Sequence, residues 1–267
     1  MYEIGSALLV FVLLLIGTGV GVLVKPLLPE EHKAHETVQL IQLVMGMLVT
    51  FAALVLGLMT ASAKTGFDTV GNDFRTYSAD LIQLNTTLRQ YGPDANEVRE
   101  LLRAYTAAAI VSTWPAEPHP VGDYYPKDIP VENDLDKLED IRLGDLLNLA
   151  GQKLQQISAA DTFHQRLLNE SMTQFQQIVQ ARWKLIEEAH STISQPFFKT
   201  LTFWLFVIFL SFGLIAPRNA LALVMITLGA LSIASAVYVI VDLDTPFTGP
   251  IVISSQPMRD ALQHMNP

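Results

Sequence analysis

The sequence predicts an all-α polytopic membrane protein with four transmembrane helices and a large helical cytosolic insert between the second and third helices. Of the 267 residues, 50% are hydrophobic and only 16% are charged, whereas soluble domains carry roughly 25% charged residues. The deficit is concentrated in four windows that contain no Asp, Glu, Lys or Arg: residues 4–24, 39–62, 200–216 and 219–241. Each window is about long enough for a helix to cross the roughly 30 Å hydrocarbon core of a bilayer.

The composition also excludes several classes of function. A net charge of −9 argues against nucleic-acid binding, which depends on clustered Lys and Arg side chains. The absence of cysteine rules out disulfides, thiolate metal sites and a cysteine nucleophile. No nucleophile elbow, zinc-protease helix, phosphate loop or kinase signature is present. We therefore expect neither an enzyme nor a bound cofactor.

The first 62 residues form a hairpin of two predicted spans, joined by a short polar loop with prolines at positions 26 and 29. The leader Met1-Tyr2-Glu3 lacks the positive charge of a signal peptide, so the first span is expected to remain as an anchor. Gly17 and Gly21 in that span match the small-xxx-small pattern and predict close contact with another helix. Residues 200–241 form the second hairpin, in which only Pro217 and Arg218 separate the two spans.

The orientation follows from the distribution of Lys and Arg near the span ends, because such residues are enriched on the cytoplasmic side. Four spans place both termini and the insert on one side of the membrane. That side carries Lys64, Arg75, Arg182, Lys184, Lys199 and Arg259, whereas the short loops carry Lys25, Lys33 and Arg218. We predict a multi-pass inner-membrane protein with the insert and both termini in the cytoplasm.

The insert, residues 63–199, begins with apolar residues at heptad spacing: Phe67, Val70, Phe74, Tyr77, Leu81, Leu84 and Leu88. This spacing predicts a seam that continues out of the second span and packs against another helix. The seam is expected to end at Tyr91-Gly92-Pro93, after which Asp94 caps a helix from Ala95 to about Thr113.

The second part of the insert is predicted to be irregular and then helical. Repeated prolines exclude regular helix from about residue 115 to 134. From about residue 135 to 194 apolar residues return at helical spacing and predict one long helix. That helix is expected to lead into the third span with a kink at Pro196.

The second span carries a narrow face of small and weakly polar residues: Gly46, Thr50, Ala53, Gly57, Thr60 and Lys64. Small residues let membrane helices approach closely, so this face fits tight helix packing. It also fits a pore lining, in which Lys64 forms a basic mouth for inorganic anions and apolar residues gate the path. No ionisable residue lies inside any span, which removes the usual signature of a proton-coupled transporter.

The irregular stretch is acidic, with carboxylates at Glu117, Asp123, Asp128, Glu132, Asp134, Asp136, Glu139 and Asp140. Hard cations such as Ca²⁺ bind carboxylate clusters, but the glycine of a calcium loop is missing, so a solvated acidic loop is the simpler interpretation. His32 and His35 have a spacing that a metal could use if the loop were helical, but interfacial polar residues between the two spans explain them more simply. We predict no metal site.

The C-terminal tail, residues 242–267, begins with a distinctive motif, Asp242-Leu-Asp244-Thr-Pro246-Phe247-Thr-Gly249. Pro246 and Gly249 predict a turn, and Phe247 needs an apolar pocket. Because the end of a helix carries partial negative charge, Asp242 and Asp244 require nearby cations or backbone donors. We expect the tail to fold back and cap the helical insert.

Several of these stretches resemble a bacterial family of uncharacterised membrane proteins described as bestrophin-like. They are the Leu27-Leu-Pro29-Glu-Glu31-His32 loop, the Tyr91-Gly-Pro93 turn, the second span running into Lys64, and the motif after the last span. The resemblance covers nearly the whole chain. A more distant similarity to bestrophin anion channels rests on four spans, a cytosolic helical body and a Pro-Phe-x-Gly turn, with Thr245 in place of the asparagine of bestrophins.

The resemblance implies a channel that is permeable to anions, with the second span lining the path. The alternative is a non-conducting membrane scaffold or sensor whose cytosolic helices recruit partners. In both cases we expect a homo-oligomer in the lipid bilayer, because partners would satisfy the heptad seam and the polar face of the second span better than one four-helix bundle.

Overall fold

The computed structural model describes residues 2–29, 35–121, 141–189, 195–217 and 219–266. The regular elements in these ranges are helices, in agreement with the all-α prediction. Short 3-10 turns occur at Lys25–Leu27 and Pro93–Ala95. The longer helices are α1 (Tyr2–Val24), α2 (His35–Tyr91), α3 (Asn96–Thr113), α4 (Ile141–Gln156), α5 (Thr162–Glu188), α6 (Gln195–Ile215), α7 (Ala220–Leu243) and α8 (Gln256–Met265).

Four of the described helices, α1, α2, α6 and α7, are long and apolar enough to cross a bilayer. The four charge-free windows of the sequence lie on these helices, apart from residues 216 and 219, which lie just outside α6 and α7. With 57 residues, α2 is about 85 Å long at 1.5 Å per residue. It therefore extends well beyond the thickness of a hydrocarbon core.

The chain divides into two compact units. The membrane unit comprises Met1–Phe67 and Ser191–Val252, and the helical unit comprises Asp68–His190 and Ile253–Pro267. Helix α2 contributes its first part to the membrane unit and its second part to the helical unit. The tail is likewise divided, after Val252.

In the membrane unit, α1 packs against α6 and α7. The contact with α6 uses the glycines of α1, as predicted. An ideal Cβ on Gly17 would lie 3.1 Å from the carbonyl oxygen of Phe206. One on Gly21 would lie 2.9 Å from the Cα of Gly213 and would overlap the carbonyl oxygen of Leu210. At Gly21 only glycine permits this approach of the two backbones, whereas a side chain at Gly17 would require its neighbours to shift slightly.

Polar contacts close the short-loop end of the membrane unit. The Asn219 side chain caps α7 by accepting a hydrogen bond from the Ala222 N–H at 2.8 Å. Lys25 Nζ donates to the carbonyl oxygens of Ala216 at 2.8 Å and Ile215 at 3.4 Å. A cation at the end of α6 also complements the partial negative charge of that helix terminus.

In the helical unit, the predicted heptad seam of α2 is buried from Val70 to Leu88. Residues in and next to α3 contact the seam: Phe74 meets Trp114, which follows α3, edge to face with ring centroids 5.3 Å apart, and the Tyr77 hydroxyl lies 2.5 Å from that of Tyr105 of α3. The expectation that partner chains satisfy the seam better than this chain does is therefore wrong, because the same chain buries it.

The long helix predicted from about residue 135 to 194 is also wrong, because α4 ends at Gln156 and α5 begins at Thr162. Asp161 starts the new helix by accepting a hydrogen bond from the His164 N–H at 2.8 Å, a local cap that competes with continuation of α4. Residues 190–194 lie outside the described residues. Helix α6 begins at Gln195, so Pro196 occupies its first turn, where a missing N–H is tolerated.

The start of α3 differs from the prediction as well. Gly92, with φ of 108°, precedes the 3-10 turn Pro93–Ala95, and Asp94 lies inside that turn. Helix α3 follows from Asn96 without a side-chain cap, so Asp94 does not cap it. The predicted end near Thr113 is confirmed, since Trp114 leaves the helical conformation.

Candidate functional site

The small-residue face of α2 is exposed in the single chain. All six of its members, Gly46, Thr50, Ala53, Gly57, Thr60 and Lys64, are exposed. Apart from α2 itself, no described heavy atom lies within 4 Å of an ideal Cβ on Gly46 or Gly57. The buried stripe of the same span lies on another side of the helix, at Met45, Ala52, Met59 and Ala63. The face is thus available to a path, or to a contact that lies outside this chain.

The two threonines of this face direct their hydroxyl hydrogens toward α2. Thr50 Oγ1 donates to the Gly46 carbonyl at 2.9 Å, and Thr60 Oγ1 donates to the Leu56 carbonyl at 2.8 Å. Each hydroxyl oxygen keeps its acceptor lone pairs for other groups. The outward side of α2 therefore offers weakly polar acceptors at two levels.

Lys64 lies at the C-terminal end of this face. Its ammonium sits over the ring of Phe67, 5.7 Å from the ring centroid. An ammonium within about 6 Å of an aromatic face is attracted by the ring electrons. This contact keeps a positive charge beside the end of the small-residue face.

The C-terminal motif closes around the buried carboxylate of Asp242, which lies at the end of α7 and is completely buried. Its Oδ2 accepts a hydrogen bond from the Ile251 N–H at 3.1 Å, which fulfils the expectation of a backbone donor. Gly249 has φ of 87°, and a Cβ there would overlap Asp242 Oδ1. Glycine at position 249 thus lets the chain turn tightly around this carboxylate.

The remaining residues of the motif form the predicted turn. The Asp244 N–H donates to the Ile240 carbonyl at 3.2 Å, and the Thr248 N–H donates to the Thr245 carbonyl at 3.1 Å. Pro246 is buried and Phe247 is half-buried. The turn therefore redirects the chain immediately after α7.

The rest of the tail caps the helical unit, as predicted. Trp114 Nε1 donates to the Ile253 carbonyl at 2.7 Å, and an Arg259 terminal nitrogen donates to Glu117 Oε2 at 2.9 Å. The Ser255 hydroxyl donates to the same Glu117 oxygen. Helix α8 packs on α3 and buries Met258, Ala261, Leu262 and Met265.

A family model named Bestrophin-like domain matches residues 11–258. The chain belongs to the bestrophin-like family. No curated protein matches the chain significantly.

Solved structures of a bacterial bestrophin homolog from Klebsiella pneumoniae share this fold. One, a Trp-to-Ala variant, has a TM-score of 0.67 at 16% identity and covers 98% of this chain and 96% of its own. Another, phased from zinc, has a TM-score of 0.64 at 17% identity and covers 97% of this chain and 96% of its own. At such low identity the similarity establishes the fold of this bestrophin-like chain. Its family and its four long apolar helices indicate a membrane protein.

The candidate metal ligands of the bestrophin-like chain lie mostly outside the described residues, including His32 and the acidic stretch from Asp123 to Asp140. His35 Nε2 lies 2.9 Å from Gln39 Nε2. Within the described ranges, no group of three His, Asp or Glu side chains is placed to hold a metal ion.

Sequence reasoning missed two polar clusters in the helical unit of this bestrophin-like protein. Tyr77 was assigned to the apolar seam, yet its hydroxyl lies 2.5 Å from that of Tyr105. Burial raises the pKa of both phenols, so both remain protonated, although the nearby guanidinium of Arg182 opposes the shift. No sequence pattern joins these residues, because they belong to three different helices.

The second cluster joins Asp73 of α2 to Lys184 and Glu188 of α5. Lys184 Nζ lies 2.9 Å from Asp73 Oδ1 and 3.7 Å from Glu188 Oε1. Lys184 and Glu188 are four residues apart, a spacing that brings side chains together on a helix. The sequence shows the spacing of Lys184 and Glu188, but it does not show that Asp73 of α2 lies beside them.

Proposed function

We propose that the protein is a subunit of a homo-oligomeric membrane channel that is permeable to inorganic anions, with the small-residue face of α2 lining the path. The observation that carries this proposal is the exposure of all six residues of that face in the single chain. Membership of the bestrophin-like family supports the same proposal.

The burial of the spans supports α2 as the lining helix. Only 17% of the most apolar window of α2 is buried within the chain, against 33% for α1 and α6 and 28% for α7. Lipid can cover exposed leucines, but glycines and threonines gain little from contact with hydrocarbon. Their natural neighbours are a water-filled path or another helix.

The same exposure supports a homo-oligomer. A path through a membrane needs a wall on every side, and the described neighbours of Gly46 and Gly57 within this chain supply none. Copies of α2 arranged around an axis would supply the missing walls. Closed, symmetric assemblies of identical chains are the commonest oligomers.

The sign of the permeant ion depends on two opposing contributions. Lys64 places a positive charge at one end of the face, which favours anions. Thr50 and Thr60 use their hydroxyl hydrogens within α2, so they present acceptor oxygens, which favour cations. We propose anion permeability because Lys64 is the only residue of the face with a formal charge.

Planar-bilayer recording with the purified full chain in a gradient of potassium chloride tests the proposal. We expect current whose reversal potential moves toward the chloride equilibrium potential, and Gly57→Leu or Thr50→Leu should block it or change its conductance. Leu58→Phe is the matched control, because it adds bulk on a different exposed side of α2. A reversal potential near that of potassium would contradict anion permeability. Current that is the same in both variants as in the wild type would show that α2 does not line the path.

The alternative function is a non-conducting scaffold or sensor. Its support is the exposure of two large aromatic side chains on α5, Phe163 and Trp183, which are 58% and 60% accessible. Aromatic residues are enriched where proteins bind partners. Wild-type protein that forms oligomers in bilayers but passes no current would favour this alternative.

A further inference from the structure

A pair of carboxyl groups from two different helices meets in the helical unit. Asp73 of α2 and Glu188 of the last turn of α5 both lie beside the ammonium of Lys184, and each carboxyl group shifts the pKa of the other. Lys184, one turn before Glu188, donates to Asp73 Oδ1 at 2.9 Å and lies 3.7 Å from Glu188 Oε1. The ammonium therefore neutralises charge on one oxygen of each carboxyl group.

The other oxygen of each carboxyl group is buried. Asp73 Oδ2 and Glu188 Oε2 have no hydrogen-bond donor among the described residues. Ionised carboxylates only accept hydrogen bonds, so two ionised groups here would leave two buried acceptors unsatisfied. One proton held between the groups satisfies both oxygens, because a protonated carboxyl can donate to the neighbouring carboxylate.

We propose that Asp73 and Glu188 form a proton-binding site, in which one proton is shared between the two carboxyl groups and its release weakens the contact between α2 and the last turn of α5. The proposal concerns the helical unit alone and does not depend on ion conduction. In this site the ammonium of Lys184 offsets the single negative charge that remains on the protonated pair.

The electrostatics place this proton on Glu188 near neutral pH. Burial and the neighbouring Asp73 raise the pKa of Glu188 from 4.5 to about 7, although Lys184 opposes the shift. Burial disfavours ionised Asp73, but hydrogen bonds with Glu188 and Lys184 outweigh this effect and lower its pKa. Lys184 is the cation that acts on both carboxyl groups.

Protonation of Glu188 stabilises the folded protein. The folded protein holds the Glu188 proton more tightly than the unfolded chain does, so the shared proton contributes stability that is fully present below about pH 4.5. This contribution decreases above pH 4.5 and is lost as the pH rises through about 7. At higher pH two negative carboxylates face each other beside one ammonium.

Infrared difference spectroscopy of the purified full chain across a pH titration tests the site directly. We expect a protonated-carboxyl band that disappears with a midpoint around pH 7, well above ordinary carboxyl groups. Glu188→Gln should abolish this band. Asp73→Asn should move the midpoint to lower pH, because an amide can donate to ionised Glu188. Glu187→Gln, the exposed neighbour, is the matched control and should leave the band unchanged.

Lys184→Gln provides an independent measurement, because both carboxyl groups remain. Loss of the ammonium removes an interaction that favours ionised Glu188, so the midpoint should move to higher pH. Helical circular dichroism and gel filtration establish that each variant is folded. Absence of a carboxyl band titrating near neutral pH in the wild-type protein would overturn the proposal. So would a band that persists unchanged in Glu188→Gln or a midpoint that Lys184→Gln leaves in place.

Discussion

The α1–α6 crossing and the outward face of α2 both depend on glycine, but in opposite ways. Gly21 meets the backbone of α6 so closely that a Cβ would lie 2.9 Å from the Gly213 Cα, whereas a Cβ on Gly46 or Gly57 meets nothing within 4 Å apart from α2 itself. In the first region, the close contact is made with another helix of the same chain. The second is left open by every described residue of the chain.

This difference teaches what a small residue in an apolar helix can mean. At Gly21 the absence of a side chain is required by a neighbour in the same chain. At Gly57 no such neighbour exists among the described residues, so any requirement for glycine would come from outside the chain, as in the proposed path or a contact with another copy of α2. Substitution of glycine therefore distinguishes contacts inside the protomer from features that only an assembly uses.

The largest effect is expected for Gly21→Leu. The new side chain would overlap the α6 backbone, which cannot move aside like a flexible side chain, so the loss of stability should reach about 3 kcal/mol or more. Gly19→Leu is the control, because a Cβ on Gly19 meets nothing within 4 Å. Thermal unfolding in detergent should show a much lower Tm for Gly21→Leu alone. Equal Tm values would mean that the α1–α6 crossing is not closed as described.

An intermediate effect is expected for Gly249→Ala. A non-glycine residue at φ of 87° is strained, and the methyl group would also displace the Asp242 carboxylate. We expect a loss of about 2 kcal/mol, measured by denaturant unfolding. Gly71→Ala is the comparison, since its Cβ would make an ordinary 3.9 Å contact with Ile253. A Gly249→Ala protein as stable as the wild type would show that the carboxylate turn is not tightly closed.

The smallest effect is expected for Gly57→Ala. Alanine favours helix by about 0.5–1 kcal/mol over glycine, and no described neighbour opposes the added methyl group, so the Tm should stay level or rise slightly. Native mass spectrometry should show an unchanged oligomer if the face lines a water-filled path. Dissociation of the oligomer would instead favour the interpretation in which this face packs against another helix.

Local patterns predicted much of this molecule. The charge-free windows identified the four apolar helices, and the heptad spacing identified the buried residues from Val70 to Leu88. The turn at Gly92 and the turn around Pro246 and Gly249 followed from residues that favour such conformations. These predictions succeeded because composition, helical periodicity and turn chemistry are properties of short stretches of chain.

Other predictions failed where a local signal competed with the average pattern. Apolar spacing alone predicted one long helix across residues 135–194, but the cap at Asp161 starts a new one. The heptad spacing favours a partner chain for the seam, because the sequence does not reveal how the insert folds back on α2. The pore-lining assignment of Gly46 to Lys64 and the cytoplasmic orientation remain predictions.

By itself, the sequence determined that this is a membrane protein whose described regular elements are helices, because the hydrophobic effect acts on the composition and period of each segment. Only the tertiary structure decided which glycines touch another backbone, that Gly249 closes on Asp242, and that Asp73 meets Glu188. Those contacts join residues that lie apart along the chain. They depend on how whole helices pack, and no short stretch of sequence encodes that packing alone.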